Sequence, residues 1–130
     1  MSIKIGSNTV INDSRELENI NDSTGLYGNF QPLVTTASVS ESYNISMIVP
    51  VYNLTMISSI AFTVNNIVAG QANTILLDRS SSSLTPTFPS SVEWSNNTLP
   101  NWTQFRYWLI TFVCYSNTKI MANAAGYDFV

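Results

Sequence analysis

Residues 106–129 carry an alternation of apolar and polar side chains that constrains the fold more than any other stretch of the sequence. Because alternate side chains of a strand point to opposite faces, this alternation predicts a strand with one face committed to a core. The polar pair Ser116-Asn117 predicts a tight two-residue turn, since Asn tolerates the positive φ that such turns need. The chain then returns as a second strand. The predicted core anchors of the first strand are Trp108, Ile110, Phe112 and Cys114.

A two-stranded apolar hairpin is marginal in water, so other segments must cover it. The sequence offers further short runs rich in Val, Ile, Thr and Tyr, separated by turn residues, and no amphipathic helical pattern. These runs predict strands at about 33–39, 43–48, 51–57, 60–64, 74–78 and 91–94. Short strands at this spacing indicate an all-β fold, an antiparallel β-sandwich or jelly-roll-like domain over residues 30–130.

Residues 1–29 have a different character, because they are polar and rich in turn signals and carry apolar residues only in pairs. A segment with so little apolar surface cannot offset the entropy of ordering by itself. We therefore expect an extended N-terminal arm and linker that docks on a neighbouring subunit or on another structure. The predicted docking residues are Ile3, Ile5, Val10, Ile11, Leu17 and Ile20.

Charge is scarce throughout the chain, with 10% charged residues and a net charge of −3 in 130 residues. Soluble domains usually carry about 25% charged residues. Since charge keeps sheet edges and surfaces apart, its scarcity favours a surface that is buried against copies of the same chain. The alternative is a neutral, Asn-rich monomer. The few basic residues are scattered, so we expect no nucleic-acid partner.

The sequence shows no signal peptide and no stretch long enough to span a membrane. We therefore expect a protein that is made in a cytoplasm, is not secreted and is not inserted into a membrane. Cys114 is the single cysteine, which excludes an intrachain disulfide and a metal site made of cysteines alone. Its place among the core anchors predicts a buried and inert thiol.

No histidine occurs in the sequence. The commonest general base and the usual partner of a serine or cysteine nucleophile are therefore missing. A carboxylate pair could be drawn from Glu41, Asp78, Glu93 and Asp128, but no spacing singles out two of them. The acids between residues 13 and 22 lack the spacing of a calcium loop. We expect no catalytic, cofactor or metal site.

Aromatic residues cluster in the last third of the chain. Large aromatics usually anchor a core or an interface, and this is the favoured interpretation. Exposed Trp rings can also stack on sugars, so a glycan-binding module stays open as an alternative. Its candidate contacts are Trp94 and Trp102.

Two stretches resemble a known family. TVINDSRELENI (residues 9–20) resembles a segment common near the start of tail-fibre-like virion proteins of marine bacteriophages, including cyanophages. FPSSVEW (88–94), TLP (98–100), LITF (109–112) and AGYDF (125–129) are similar to a recurrent C-terminal module of those proteins. This chain departs from the pattern at Asn97, where a glycine is usual, and at residues 105–108, which are bulkier.

The resemblance implies a non-catalytic structural protein of a virion, usually assembled as a trimer. We expect a tail-fibre or appendage component first, and a capsid decoration protein that stabilises the head shell second. A glycan-binding module that recognises a host-surface receptor is the third interpretation. The expected partners are other copies of the chain and other virion proteins of the tail or capsid.

Overall fold

The computed structural model of the protein describes residues 3–5, 8–11 and 34–129. The chain divides into two compact units, Met1–Pro32 and Leu33–Val130. In the first unit, strand β1 (Ile3–Ile5) pairs antiparallel with β2 (Asn8–Ile11). Four predicted docking residues lie on these two strands: Ile3, Ile5, Val10 and Ile11. Leu17 and Ile20 lie outside the described residues, and the docking role of residues 1–29 stays a prediction.

The second unit, which we call the body, is built on seven strands. They are β3 (Val34–Ser46), β4 (Val51–Asn65), β5 (Ala72–Asp78), β6 (Pro86–Thr87), β7 (Val92–Trp94), β8 (Phe105–Cys114) and β9 (Ile120–Phe129). Their order is β3-β4-β5-β8-β9-β7, and β6 pairs with β4 beyond the end of β5. Two 3₁₀ turns, Ser95–Asn97 and Trp102–Gln104, lie between β7 and β8. No α-helix occurs in residues 34–129. The all-β prediction is confirmed.

The sheet is mixed, so the prediction of an antiparallel fold was wrong. Strand β4 runs parallel to β3, β5 and β6, and β7 runs parallel to β9. Only the β5–β8 and β8–β9 pairs of the body are antiparallel. The error has a physical cause, because apolar alternation indicates that a strand exists and carries no information about the direction of its neighbour.

Strands β3 and β4 each combine two predicted strands, and each bends near its middle. Val34 pairs with Val51 and Ser46 pairs with Asn65, which places the end of β3 far along the sheet from the start of β4. The connection from Ser46 to Val51 can span at most about 18 Å. If β3 were straight, its end would lie about 40 Å from the start of β4, which is too far for this connection. Both strands must therefore turn back on themselves. The pairing register shifts at this point, between Val39 and Glu41.

Serine hydroxyls hold the bend together across neighbouring strands. Glu41, which has a φ of 59°, donates its backbone N–H to Ser58 Oγ at 3.0 Å. On the other side of β4, Thr85 donates its N–H to Ser59 Oγ at 3.1 Å. Ser58-Ser59, which lies between two strands predicted as separate, is therefore a bend inside one strand. Hydroxyl acceptors let the chain change direction without leaving backbone donors unsatisfied.

Arg79 stabilises the segment that connects β5 to β6. Its side chain is fully buried, and its guanidinium donates to the backbone carbonyls of Leu84, Ser82 and Phe105. The Nε–Leu84 oxygen distance is 2.6 Å. Burial lowers the pKa of this guanidinium from its ordinary value. The planar fork of Arg suits several carbonyls at once, so Arg79 ties residues 82–84 to the start of β8.

The core lies on the inner side of the bent sheet. The four core anchors of β8 are buried there, with 5%, 0%, 0% and 1% exposure for Trp108, Ile110, Phe112 and Cys114. Phe88 lies at the centre of an aromatic cluster, 5.0 Å from the Phe62 ring and 5.8 Å from the Phe112 ring. Phe88 thereby joins the second half of β4 to β8.

The β8–β9 hairpin forms as predicted, but its turn is longer than two residues. Strand β8 ends at Cys114 and β9 begins at Ile120, and Tyr115 donates its N–H to the Lys119 carbonyl. Ser116 Oγ accepts the N–H groups of Thr118 and Lys119. The hydroxyl therefore stabilises a wider loop than the sequence pattern indicated.

Candidate interaction surface

The outer side of the sheet places the apolar side chains of β5, β8 and β9 next to one another. Leu76 pairs with Leu109, which pairs with Ala125. In neighbouring rows, Tyr107 faces Tyr127 and Val113 faces Met121. Side chains directly opposite each other on one face are in contact range, so these rows form one continuous surface. We call this surface the outer apolar face, and its members are Leu76, Tyr107, Leu109, Val113, Met121 and Tyr127.

The outer apolar face is well exposed for a set of large apolar side chains. Leu76 is 44% exposed, Met121 is 53% exposed and Tyr127 is 54% exposed. Together with Tyr107 and Val113 they leave about 500 Å² of mainly apolar surface open, toward the upper end of the largest patches on monomers. A surface of this size is typical of an interface.

Two shallow grooves cross this face. One has a volume of about 490 Å³ and is lined by residues that include Leu76, Leu109 and Tyr127. The other has a volume of about 400 Å³ and lies beside Val113 and Met121. Side chains of a partner can insert into these grooves.

Asp78 is the only charged residue among the described residue pairs that join β5 to β8 and β8 to β9. Arg106 neutralises it with two hydrogen bonds, Nε to Oδ1 at 2.9 Å and Nη2 to Oδ2 at 3.1 Å. The bond from Arg106 holds the pKa of Asp78 below its ordinary value. The Arg106 guanidinium also lies 4.9 Å from the centre of the Tyr107 ring. The face therefore presents almost no net charge.

A second small polar cluster borders the face at β7. Glu93 accepts the hydroxyl of Tyr115, and its Oε1 lies 3.6 Å from Lys119 Nζ. The hydrogen bond to Glu93 raises the pKa of Tyr115. Asp78 and Glu93 thus each have a cationic partner of their own, and neither is placed as one of two facing carboxylates in these contacts.

A cleft of about 510 Å³ lies between β9 and the 95–104 loop, next to the groove beside Val113 and Met121. Indole rings and uncharged polar side chains line it. Its lining includes Trp94, Trp108, Asn96, Asn101, Gln104 and Asn123, and no charged residue lines it. Asn96 and Asn97 both have left-handed backbone, with φ of 57° and 52°. We call this site the loop cleft.

The two candidate glycan contacts have different surroundings. Trp102 is 5% exposed, so its ring has no open face on which a sugar could stack. Its ring centre lies 5.4 Å from that of Trp94 and 4.9 Å from that of Trp108. Its buried Nε1 has no hydrogen-bond partner among the described residues. Trp94 is half-buried and lines the loop cleft.

Two further findings concern the chemistry of the described residues. Burial raises the pKa of the Cys114 thiol. Within residues that the structure describes, no group of three His, Cys, Asp or Glu side chains is placed to hold a metal ion. No helix in that part of the chain is both long and apolar enough to cross a membrane.

Comparisons of the chain with protein-family models, with curated proteins and with solved structures found no match.

Sequence reasoning located only part of these surfaces. The alternation in β8 predicted one face committed to a core, which leaves Leu109 and Val113 on the opposite face of the strand. It did not reveal that Leu76, Met121 and Tyr127 extend that face, because this depends on which strands are neighbours. The pairing of β5 with β8 brings them together.

Proposed function

We propose that this protein is a non-enzymatic structural component of a phage virion, a part of a tail fibre or appendage that assembles with copies of itself through the outer apolar face. The observation that carries the proposal is an apolar face several strands wide on which the carboxylates of Asp78 and Glu93 each lie beside a basic partner. The absence of histidine from the sequence supports a non-enzymatic role.

A second copy of the chain is the occupant that this face fits best. Each partner of a standard interface contributes about 800 Å², and the exposed apolar side chains plus the Thr, Asn and Ala around them approach that area. Identical faces repel each other when they carry net charge, and this one carries almost none. A closed ring of copies buries the face in every subunit. We take a trimer, which the resemblance implies, as the expected symmetry.

We also propose that the body is a two-layer β-sandwich made by coiling of the chain. Two contacts across the interior support this arrangement. Tyr52, at the start of β4, accepts the backbone N–H of Ser46, at the end of β3, with its hydroxyl at 2.8 Å. Phe88 packs between Phe62 and Phe112. A body closed in this way presents its outer face as a fixed platform, so little order has to be gained on assembly.

The assembly step is tested by sedimentation of the purified protein. We expect a mass of three times the 14.4 kDa chain. Tyr127→Lys places a charge on the face, opposite Tyr107, and should shift the protein to monomer. Ile48→Lys is the matched control, because Ile48 is 67% exposed and lies between β3 and β4, away from the face. A monomeric wild-type protein at all concentrations, or equal effects of the two variants, would overturn the proposed interface.

The virion role is tested by the number of copies in purified phage particles, measured by quantitative mass spectrometry against the major capsid protein. Closed symmetry fixes the count, so on the order of tens of copies per particle supports a tail-fibre or appendage component. On the order of hundreds supports the capsid decoration protein instead. Absence from the particles contradicts the virion role.

A further inference from the structure

We propose that the loop cleft is a binding site for an uncharged saccharide. The cleft adjoins the outer apolar face, because Trp94, Ser95 and Asn123 also line the second groove of that face. The proposal does not require the assembly, and sedimentation of the variants separates the two. Trp94 contributes aromatic surface to the cleft, and amide side chains of the 95–104 loop contribute donors and acceptors. The combination is the chemistry that a sugar ring requires.

The polar lining of the cleft favours a neutral ligand with many hydroxyl groups. An amide side chain offers both two N–H donors and a carbonyl acceptor, which matches a hydroxyl that donates and accepts. The amides of Asn96 and Gln104 make no hydrogen bond within the described residues, so both are free for a ligand. No carboxylate, guanidinium or ammonium group lines the cleft. A charged ligand would therefore find no counter-charge there.

The aromatic lining favours a ligand that also has an apolar face. Trp94 packs edge-to-face against Trp102 and Phe88, at 5.4 Å and 5.3 Å between ring centres, which holds its ring in place. The C–H face of a pyranose ring can pack on the part of the indole that stays open. The cleft volume of about 510 Å³ lies within the range of small-ligand pockets.

The loop is shaped in advance around the cleft. Asn96 and Asn97 both adopt the left-handed conformation that Asn tolerates in turns. Thr98 fixes the turn, because its hydroxyl donates to the Asn96 carbonyl at 3.1 Å and its N–H donates to the Ser95 carbonyl at 3.3 Å. A fixed loop lowers the ordering cost of binding.

The experiment begins with the full chain on an array of neutral and sialylated oligosaccharides, followed by titration of the retained saccharides with tryptophan fluorescence as the readout. Gln104→Ala removes one amide from the cleft. Asn96→Gly removes the other and keeps the left-handed backbone accessible. Asn44→Ala is the matched control, because Asn44 is an exposed amide on β3 that lines neither the cleft nor the grooves of the outer apolar face.

We expect neutral saccharides to be retained, with about tenfold weaker binding in Gln104→Ala and in Asn96→Gly, since each loses a hydrogen bond to the ligand. Asn44→Ala should bind as the wild type does. Sedimentation of the cleft variants should be unchanged, which separates this result from the assembly. Retention of no neutral saccharide, retention of sialylated saccharides alone, or binding that the two cleft variants leave intact would overturn the proposal.

Discussion

Arg79 is predicted to contribute more to stability than the Arg106–Asp78 ion pair. This holds although the hydrogen bonds of Arg79 go to backbone carbonyls and not to a carboxylate. Replacing it with Met keeps much of the aliphatic volume and removes the guanidinium. The carbonyls of Leu84, Ser82 and Phe105 then lose their donor. A buried acceptor left without a partner costs about 1–3 kcal/mol. Residues 81–83 are exposed, so this loop can turn some of these carbonyls toward water. We therefore expect the free energy of unfolding to fall by about 3 kcal/mol in total.

Arg106→Met is the matched comparison, because Arg106 makes two hydrogen bonds to Asp78 yet its side chain is 44% exposed. Solvent screens an exposed ion pair, so removal of Arg106 should cost much less stability than removal of Arg79. Arg79→Lys separates charge from geometry. One ammonium group cannot reach three carbonyls in the way that the guanidinium fork does, so this variant should lose nearly as much as Arg79→Met.

Urea unfolding followed by tryptophan fluorescence measures these differences, because all three Trp residues pack in or against the core. With a denaturant slope of about 2 kcal/mol per M, a loss of 3 kcal/mol lowers the unfolding midpoint by about 1.5 M. The reasoning is refuted if Arg79→Met unfolds within about 0.5 M of the wild type. It is also refuted if Arg106→Met is destabilised as much as Arg79→Met.

Three further predictions concern the sheet. The Arg106 bond lowers the pKa of Asp78, so its stabilisation is present above the unfolded value of about 4 and is lost as the pH falls below it. The stability difference between the wild type and Asp78→Asn should therefore shrink between pH 7 and pH 3 in urea titrations. Trp108→Ala should cost about 3–5 kcal/mol in the same assay, and a loss below 1 kcal/mol would contradict its core role. Gly126→Ala places a Cβ 2.1 Å from the Phe105 ring, so thermal unfolding should show a destabilisation of about 1–3 kcal/mol, which an unchanged midpoint would contradict.

The sequence predicts strands well here and their arrangement poorly, and Ser58-Ser59 shows why. A pair of serines between apolar runs is an ordinary turn signal, and it did mark a change of chain direction. Whether the strand ends there depends on acceptors and donors from distant segments. Glu41 and Thr85 supply those donors, from positions 17 and 26 residues away. Local patterns contain no information about such contacts.

Arg79 shows the same limit for a single residue. In the sequence it is one of a few scattered basic residues, next to four serines that suggest a solvated loop. The carbonyls that it binds belong to the loop itself and to Phe105, 26 residues further along. Burial of an arginine thus depends on the return of β8 beside β5. The loop cleft has the same origin, because Asn123 and Gln104 meet there only after β9 pairs with β8.

The structure shows which surfaces of the body carry few charged residues. In residues 34–129, two of the acids, Asp78 and Glu93, have their own basic partners and Arg79 is buried. The outer apolar face and the long edge strand β3, on which Glu41 is the only charged residue, are left nearly without charge. Sheet edges and faces that must stay single usually carry charges that repel other copies. The outer apolar face and the edge strand β3 both lack these repelling charges. The body is therefore suited to an assembled state, in which neighbouring subunits cover these two surfaces.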